Sequence, residues 1–488
     1  MNKSYFRFLV RYHRVPLIFF FVFYMTIAMS FFMMRSSYQD IGYWLNTALS
    51  NTVNVCMIMS ILLSFGIPVY LFSWMHKKRS CDVYGALPFT RKEELVTSLV
   101  AGFLVCFGYF LLGTIIPAII GAVRGELYLS GYLLTVAAMA LGSAVLLMIN
   151  TGIYLIANNA LDGVVMLGAY HFLPAMVMIT VGNVFSNIVA GINSPDMTVI
   201  SWLSPVYAAG SLVTDTFSKA LRANLNIIGL DPLWPRVLIL IGVLVLSIVL
   251  LKANFVERRL ERAEQLSDNA LAYPLVIRIY TALCLLILAS GMFRDRVEFV
   301  MFILIFAAFL VSQFVYRRTI RPNWKMIVQF LILVAGAFAI IAIGWWTKGF
   351  SLAERPVDYV HAQSIQYMAK NYEDEATVDL TLDLKLSAKD TEAINLLEQA
   401  RKNSIDAFYR RKPDSEDSLS NWRSYCYMLS IETSGASYTY PLYSSNAFSV
   451  DDLKLLQKYG TLTIQKYSYV EGDDQDLTLE QYRQETGN

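Results

Sequence analysis

The side chains able to do chemistry are few, and most of them crowd one basic stretch, residues 76–94 (HKKRSCDVYGALPFTRKEE). It offers Asp82, Tyr84, Leu87, Pro88, Thr90, Arg91 and Lys92, a set suited to gripping another surface rather than to breaking bonds. The four histidines, His13, His76, His171 and His361, are scattered. Cys56, Cys106 and Cys284 sit in apolar runs, Cys81 lies in the basic stretch, and Cys426 stands alone near the C-terminus. No pair has metal-ligand spacing, so neither a zinc cluster nor a disulfide within the C-terminal part is expected. A catalytic constellation is likewise not expected. The chain has no GxxxxGK[ST] loop to cradle phosphates, so any ATP chemistry falls to another chain. Among the polar residues within apolar runs, His171 (close to Pro174), Asn183 and Asn187 are the best placed to line a path. Polar groups at membrane depth either line a path or bridge packed helices, and both readings stand. The clusters Glu373–Asp374–Glu375 and Asp473–Asp474–Asp476 suit a cation or a solvated face.

Composition says what must position these groups. Of 488 residues, 56% are apolar and 16% charged, and the mean hydropathy is +0.46. Soluble domains carry about 25% charge, so this chain holds segments meant for lipid. Residues 1–346 have 25 Lys+Arg and 15 Asp+Glu, whereas residues 347–488 have 15 and 23. A basic membrane part followed by an acidic soluble part argues against a nucleic-acid partner.

About 20 apolar residues cross a bilayer as a helix. Nine segments qualify, at roughly 16–34, 54–74, 95–119, 132–157, 163–190, 236–256, 275–292, 298–316 and 325–346. With the N-terminus in the cytoplasm, the inner segments hold 18 basic residues and the outer loops before residue 347 hold 7. That bias sets the orientation, and an odd number of spans puts residues 347–488 outside the cell. Ahead of the first span, Arg7, Arg11 and Arg14 share a helical face opposite Tyr5, Phe8, Leu9 and Tyr12. This predicts an interfacial helix over 1–15, or else a simple topology anchor. The long outer stretch 191–235 holds the apolar pieces Met197–Val206 and Ala220–Leu230, which suit short helices or a re-entrant pair.

Within 347–488, Val378, Leu380, Leu382, Leu384 and Leu386 alternate with polar residues, the mark of a half-buried strand over 376–388. A helix over 390–408, strands from Tyr425 to Ile431, 437–443 and 461–470, and a short helix opened by Ser449 and Asp452 follow. The order β-α-β-β-α-β suggests a split-βαβ sandwich with a frayed acidic end from Glu471.

The 82–92 stretch resembles the D-x-Y-x-x-L-P-x-[ST]-R-K segment of bacterial ABC-2-type permeases, the membrane subunits of ATP-driven exporters. Asp82, Tyr84, Leu87, Pro88, Thr90, Arg91 and Lys92 carry the match, and a short amphipathic helix over Cys81–Leu87 is expected there. Leu203-Ser204-Pro205 is similar to the family's outer L-S-P. Arg258, Glu261 and Ala263 are similar to the R-x-x-E-x-A that follows its sixth span. The resemblance covers about residues 1–270. Spans seven to nine and the outer domain look like an extension found in some Gram-positive permeases.

The resemblance implies an all-α polytopic membrane protein of the bacterial plasma membrane with a C-terminal α+β extracellular domain. Its parts would be a helix over 1–15, a six-span core over 16–270, three further spans over 271–346, and the domain over 347–488. The seven residues of the basic stretch would couple to a P-loop ABC ATPase that binds ATP and Mg. A second permease, identical or related, and membrane lipids complete the expected partners. The expected function is export of, or resistance to, a peptide, antibiotic or lipid-like substrate. The alternative is a sensing subunit whose outer domain binds a ligand and relays occupancy to the ATPase.

Overall fold

Nine helices among the described residues are long and apolar enough to cross a membrane, which makes this a multi-pass membrane protein. The computed structural model describes residues 2–33, 41–192, 197–221, 233–265, 269–293, 299–372, 376–410, 425–433, 437–442, 448–468 and 474–486. Glu373–Glu375, Asp473 and most of the Ala220–Leu230 piece lie outside them. The chain divides into two units, one of Met1–Ala175 with Thr198–Ile277 and one of Met176–Met197 with Arg278–Asn488.

The first unit begins with α1 (Lys3–Tyr12) and α2 (Arg14–Met33), followed by α3 (Ile41–Phe72). A 3-10 turn, Ser73–His76, leads into α4 (Lys78–Gly85) and then α5 (Arg91–Val123), α6 (Leu129–Tyr154) and α7 (Ala160–Ile188). After α8 (Thr198–Trp202) and α9 (Pro205–Ser218) comes α10 (Leu233–Leu251), which ends in a π-helical turn, Lys252–Val256.

Two sequence expectations need correcting here, and a third is refined in position. Helix α3 starts well before residue 54, because Leu45, Ala48, Leu49, Thr52 and Val53 recur at helical spacing and are buried despite their polar neighbours. The helix expected over Cys81–Leu87 starts three residues earlier, at Lys78, and ends two residues earlier, at Gly85, ahead of the Leu87–Pro88 pair that disfavours helical geometry. In the 191–235 stretch the expected short helices form: among the described residues α8 lies within Met197–Val206, and the longer α9 runs mostly beyond that piece. Ser204 caps α9, Pro205 takes its first position, and Ala208, Ala209, Leu212, Val213, Thr216 and Phe217 are buried along it. It packs on α6, where Gly142 lets the chain of Ala209 approach closely.

The second unit holds the end of α7, then α11 (Tyr273–Phe293), α12 (Phe299–Arg317) and α13 (Trp324–Trp346), and the α+β domain. Strands β1 (Ser364–Tyr372), β2 (Ala376–Leu384), β3 (Tyr425–Glu432), β4 (Ser437–Leu442), β5 (Gly460–Ser468) and β6 (Asp474–Asp476) form one sheet ordered β4-β3-β1-β2-β5-β6. All neighbours are antiparallel. Register carries the buried residues across one face: Tyr367 lies opposite both Leu382 and Leu429, and Leu380 lies opposite Ile464. Helices α14 (Thr391–Arg410) and α15 (Val450–Leu456) cover that face with Ala393, Leu397, Leu453 and Leu456.

The expected order β-α-β-β-α-β is present as β2-α14-β3-β4-α15-β5, and β2 and β3 run parallel on either side of β1, a split β-α-β unit. What the sequence did not announce is β1 itself, which takes the central place between them and leaves β4 at the edge. Its inward residues, Ile365, Tyr367 and Ala369, include one aliphatic of any size, which is a weak alternating signal. The stretch after Glu471 is not simply frayed, since β6 and α16 (Leu479–Thr486) form there and Tyr482 enters the core.

Candidate functional site

At the end of the first unit where α3 finishes and α5 begins, five pieces of chain meet around α4. Trp74 of the 3-10 turn stacks flat on Tyr84, with ring centroids 4.4 Å apart and planes 11° apart, and meets Phe255 edge-on. Cys81 is buried, with its Sγ 3.5 Å from the carbonyls of Trp74 and Met75. Burial pushes the Cys81 thiol and the Tyr84 hydroxyl above their ordinary values, so both stay neutral. The ring of His76 packs edge-on against Tyr154 at 4.6 Å. Helix α5 opens with a capping box, in which Thr90 Oγ1 accepts from the Glu93 amide and Glu93 accepts from the Thr90 amide.

The brace comes from the segment after α10. Arg258 is buried and donates to the Leu155 carbonyl at 3.1 Å and to Asn158 Oδ1 at 3.3 Å, closing the C-terminus of α6. Burial draws its guanidinium down to about 10, so it remains charged at neutral pH. Its own carbonyl accepts from Arg91. Six residues on, Glu264 takes a left-handed conformation (φ 64°), bonds its amide to the Asn158 carbonyl and accepts from the Lys78 amide at 3.3 Å. Leu260 lies against Gly85 at the end of α4, and Ala263 is fully buried.

The seven residues singled out from sequence thus fall into two groups. Tyr84 and Arg91 are held inward, the first on Trp74 and the second on the Arg258 carbonyl. Leu87 is half-buried, and Asp82, Pro88, Thr90 and Lys92 are exposed. Sequence reasoning missed Val83, which is 65% exposed on the outer side of α4 beside Asp82, with Lys77, Lys78 and Arg79 exposed just before it. It also missed Trp74, and it gave Arg258 only as part of a motif. A lone aromatic before a basic run carries little signal without the stacking partner.

The in-membrane polar residues do not share partners. His171 Nε2 pairs with Asn150 Oδ1 at 2.5 Å, and Asn150 donates to the Ser64 carbonyl at 2.9 Å, which links α7, α6 and α3. Phe65 packs on the His171 ring at 4.4 Å. In the second unit, Asn187 donates to Ser290 Oγ at 3.0 Å, while Asn183 bonds the Ile179 carbonyl of its own helix. His171 and Asn187 thus each join two helices through a side-chain hydrogen bond. Among the described residues no group of three His, Cys, Asp or Glu side chains is placed to hold a metal ion.

The arrangement around α4 thus ties its residues to neighbouring segments: Tyr84 to Trp74 beyond α3, and Arg258, beyond α10, to Arg91 of α5 and to Leu155 and Asn158 after α6. No protein-family model, no curated protein and no solved structure matches this chain.

Proposed function

We propose that this chain is the permease subunit of an ABC transporter, driven by a separate P-loop ATPase that docks on α4 and the Leu87–Lys92 turn. The observation that carries the reading is the joint itself: a short helix with Val83 and a charged rim exposed, clamped to four spanning helices. Closure of two ATPase subunits would then tilt those helices. The apolar Val83 and Leu87 would supply grip, and Asp82 and Lys92 would set the register. The 82–92 resemblance supports the same assignment, with export of a peptide, antibiotic or lipid-like substrate. In this reading the joint faces the cytoplasm, residues 347–488 lie outside the cell, and a second permease completes the complex.

The sensing alternative also has a specific observation in its favour. Within the second unit, Tyr409 of α14 donates to the Ile188 carbonyl at 2.6 Å, and the Thr439 amide of β4 donates to the Gly191 carbonyl at 2.7 Å. The α+β domain thereby grips the end of α7 directly, a connection suited to relaying ligand occupancy into the membrane part.

The test is co-purification of the ATPase with the full chain from its native membrane. Val83→Asp with Leu87→Ala should release the ATPase while leaving membrane insertion intact. Retention of the ATPase at unmutated levels would defeat the docking assignment. For orientation, a membrane-impermeant thiol reagent should label Lys389→Cys, an exposed position, in intact cells. Labelling only after permeabilisation would invert the topology.

A further inference from the structure

We infer that α1 carries a binding site for the headgroup of an anionic phospholipid. The inference goes beyond the permease reading and needs only that the chain spans a membrane. Asn2 caps α1, its Oδ1 accepting from the amides of Ser4 and Tyr5, and its own amide donates to Thr97 Oγ1 at 3.0 Å. Tyr5 and Leu9 are buried, and the Tyr5 ring lies 5.7 Å from Phe89. One face of α1 is therefore fixed to the start of α5.

The opposite face is open and has two parallel rows. Lys3, Arg7 and Arg11 follow one another at i, i+4 and i+8, and all three are exposed. Beside them run Ser4, Phe8 and Tyr12, with Phe8 48% and Tyr12 69% exposed and their rings stacked at 5.6 Å. Ser4, Arg7, Phe8, Arg11 and Tyr12 line an open groove of about 460 Å³. None of Lys3, Arg7, Arg11 and Arg14 makes an ion pair among the described residues, so their charge is unspent.

Position selects the ligand. Helix α2 has 20 residues and so spans about 30 Å, the thickness of the hydrocarbon layer. Only His13 separates it from α1, which places α1 in the adjoining headgroup layer. A cationic row next to exposed aromatic rings at that depth matches a phosphodiester above a glycerol and the upper acyl chains. Two arginines one turn apart fit phosphate oxygens through paired N–H groups. Because the buried side of α1 touches Phe89 and Thr97, an occupied headgroup site also steadies the turn that leads into α5.

The test is native mass spectrometry of the full-length protein in detergent, titrated with phosphatidylglycerol or phosphatidylcholine of matched chains. Phosphatidylglycerol should bind in preference. Each basic side chain near an anionic surface contributes roughly fivefold in affinity, so Arg7→Gln with Arg11→Gln should weaken phosphatidylglycerol binding roughly thirtyfold. The Arg7→Lys/Arg11→Lys pair, which keeps the charge but loses the paired N–H groups, should weaken binding less than the Gln pair does. Arg318→Gln with Arg321→Gln, two exposed cations elsewhere, should leave it unchanged. Equal loss in that control, or no loss in the α1 pair, would overturn the site. Competition by glycerol 3-phosphate as strong as by the lipid would assign a free anion instead and overturn it too. So would a shift in oligomeric state without loss of lipid, which would make the face a contact between copies.

Discussion

Arg258→Met isolates the brace behind α4. The substitution removes hydrogen bonds of 3.1 Å to the Leu155 carbonyl and 3.3 Å to Asn158 Oδ1 while keeping an unbranched stem. Charge-assisted bonds are worth about 1.5–3 kcal/mol each, and these lengths put both near the lower end. Methionine recovers about 0.8 kcal/mol per buried methylene, and the cost of burying the charge disappears, so about 2 kcal/mol of local stability is lost. At about 1.4 kcal/mol per factor of ten, α4 then opens about thirtyfold more often. Cys81 reports that opening because it is buried under Trp74 and Met75. The assay is the alkylation rate of Cys81 in a full chain whose other four cysteines are alanine, set beside a chain that keeps only Cys106. The rate at Cys81 should rise about thirtyfold, and the rate at Cys106, buried within α5, should not change. An unchanged Cys81 rate would refute the bracing role, and an equal rise at both sites would mean general destabilisation rather than a joint.

Other perturbations have definite signs. Residues 348–351 run through four consecutive left-handed conformations (φ 49°, 69°, 56° and 63°) after α13, and an added Cβ at Gly349 would lie 2.8 Å from Val189 Cγ2. Gly349→Ala should therefore cost about 2–3 kcal/mol, and Ser351→Gly, which removes a Cβ from an exposed left-handed position, should be neutral or gain up to about 1 kcal/mol, both read as Tm of the full chain. Burial would raise the Glu398 carboxyl, but hydrogen bonds from Arg401 and Tyr359 outweigh it and hold the group below its ordinary value. Its stabilisation is complete above about pH 4.3 and is lost as pH falls through the depressed folded value, so Glu398→Gln should flatten the acid limb of Tm against pH. An acid limb of unchanged slope would exclude that role. Asn150→Ala, which breaks links to both Ser64 and His171, should cost about 1–2 kcal/mol, and His171→Ala about 0.6 kcal/mol. The reverse order in Tm would show that His171 does more than bridge helices.

The parts legible in the sequence were those with a strong local signature. Nine apolar runs became nine helices among the described residues, and the Ser449–Asp452 pair became a capping box. The alternation at 378–384 became β2, with its aliphatic residues buried. What stayed hidden depends on distant partners. Strand β1 is central because β2 and β3 both pair with it, and nothing within 364–372 announces that. Helix α9 is amphipathic against α6, so its polar residues masked it from a search for apolar blocks. The basic stretch was legible as a candidate site, but the direction of its side chains was not. Tyr84 looks like a free anchor until Trp74, ten residues earlier, is seen stacked beneath it. Arg258 is exposed by every compositional expectation and is buried because two carbonyl oxygens at the end of α6 need it.

The central claim, that α4 docks a P-loop ATPase, is tested most directly by a photo-crosslinking amino acid placed at Val83 of the full chain in living cells. Irradiation should yield a single adduct with an ATP-binding-cassette ATPase, identified by its GxxxxGK[ST] peptide, and the same group at exposed Lys389 should yield none. Adducts with lipid alone, or with no partner at Val83 under conditions where the chain is inserted and folded, would contradict the account.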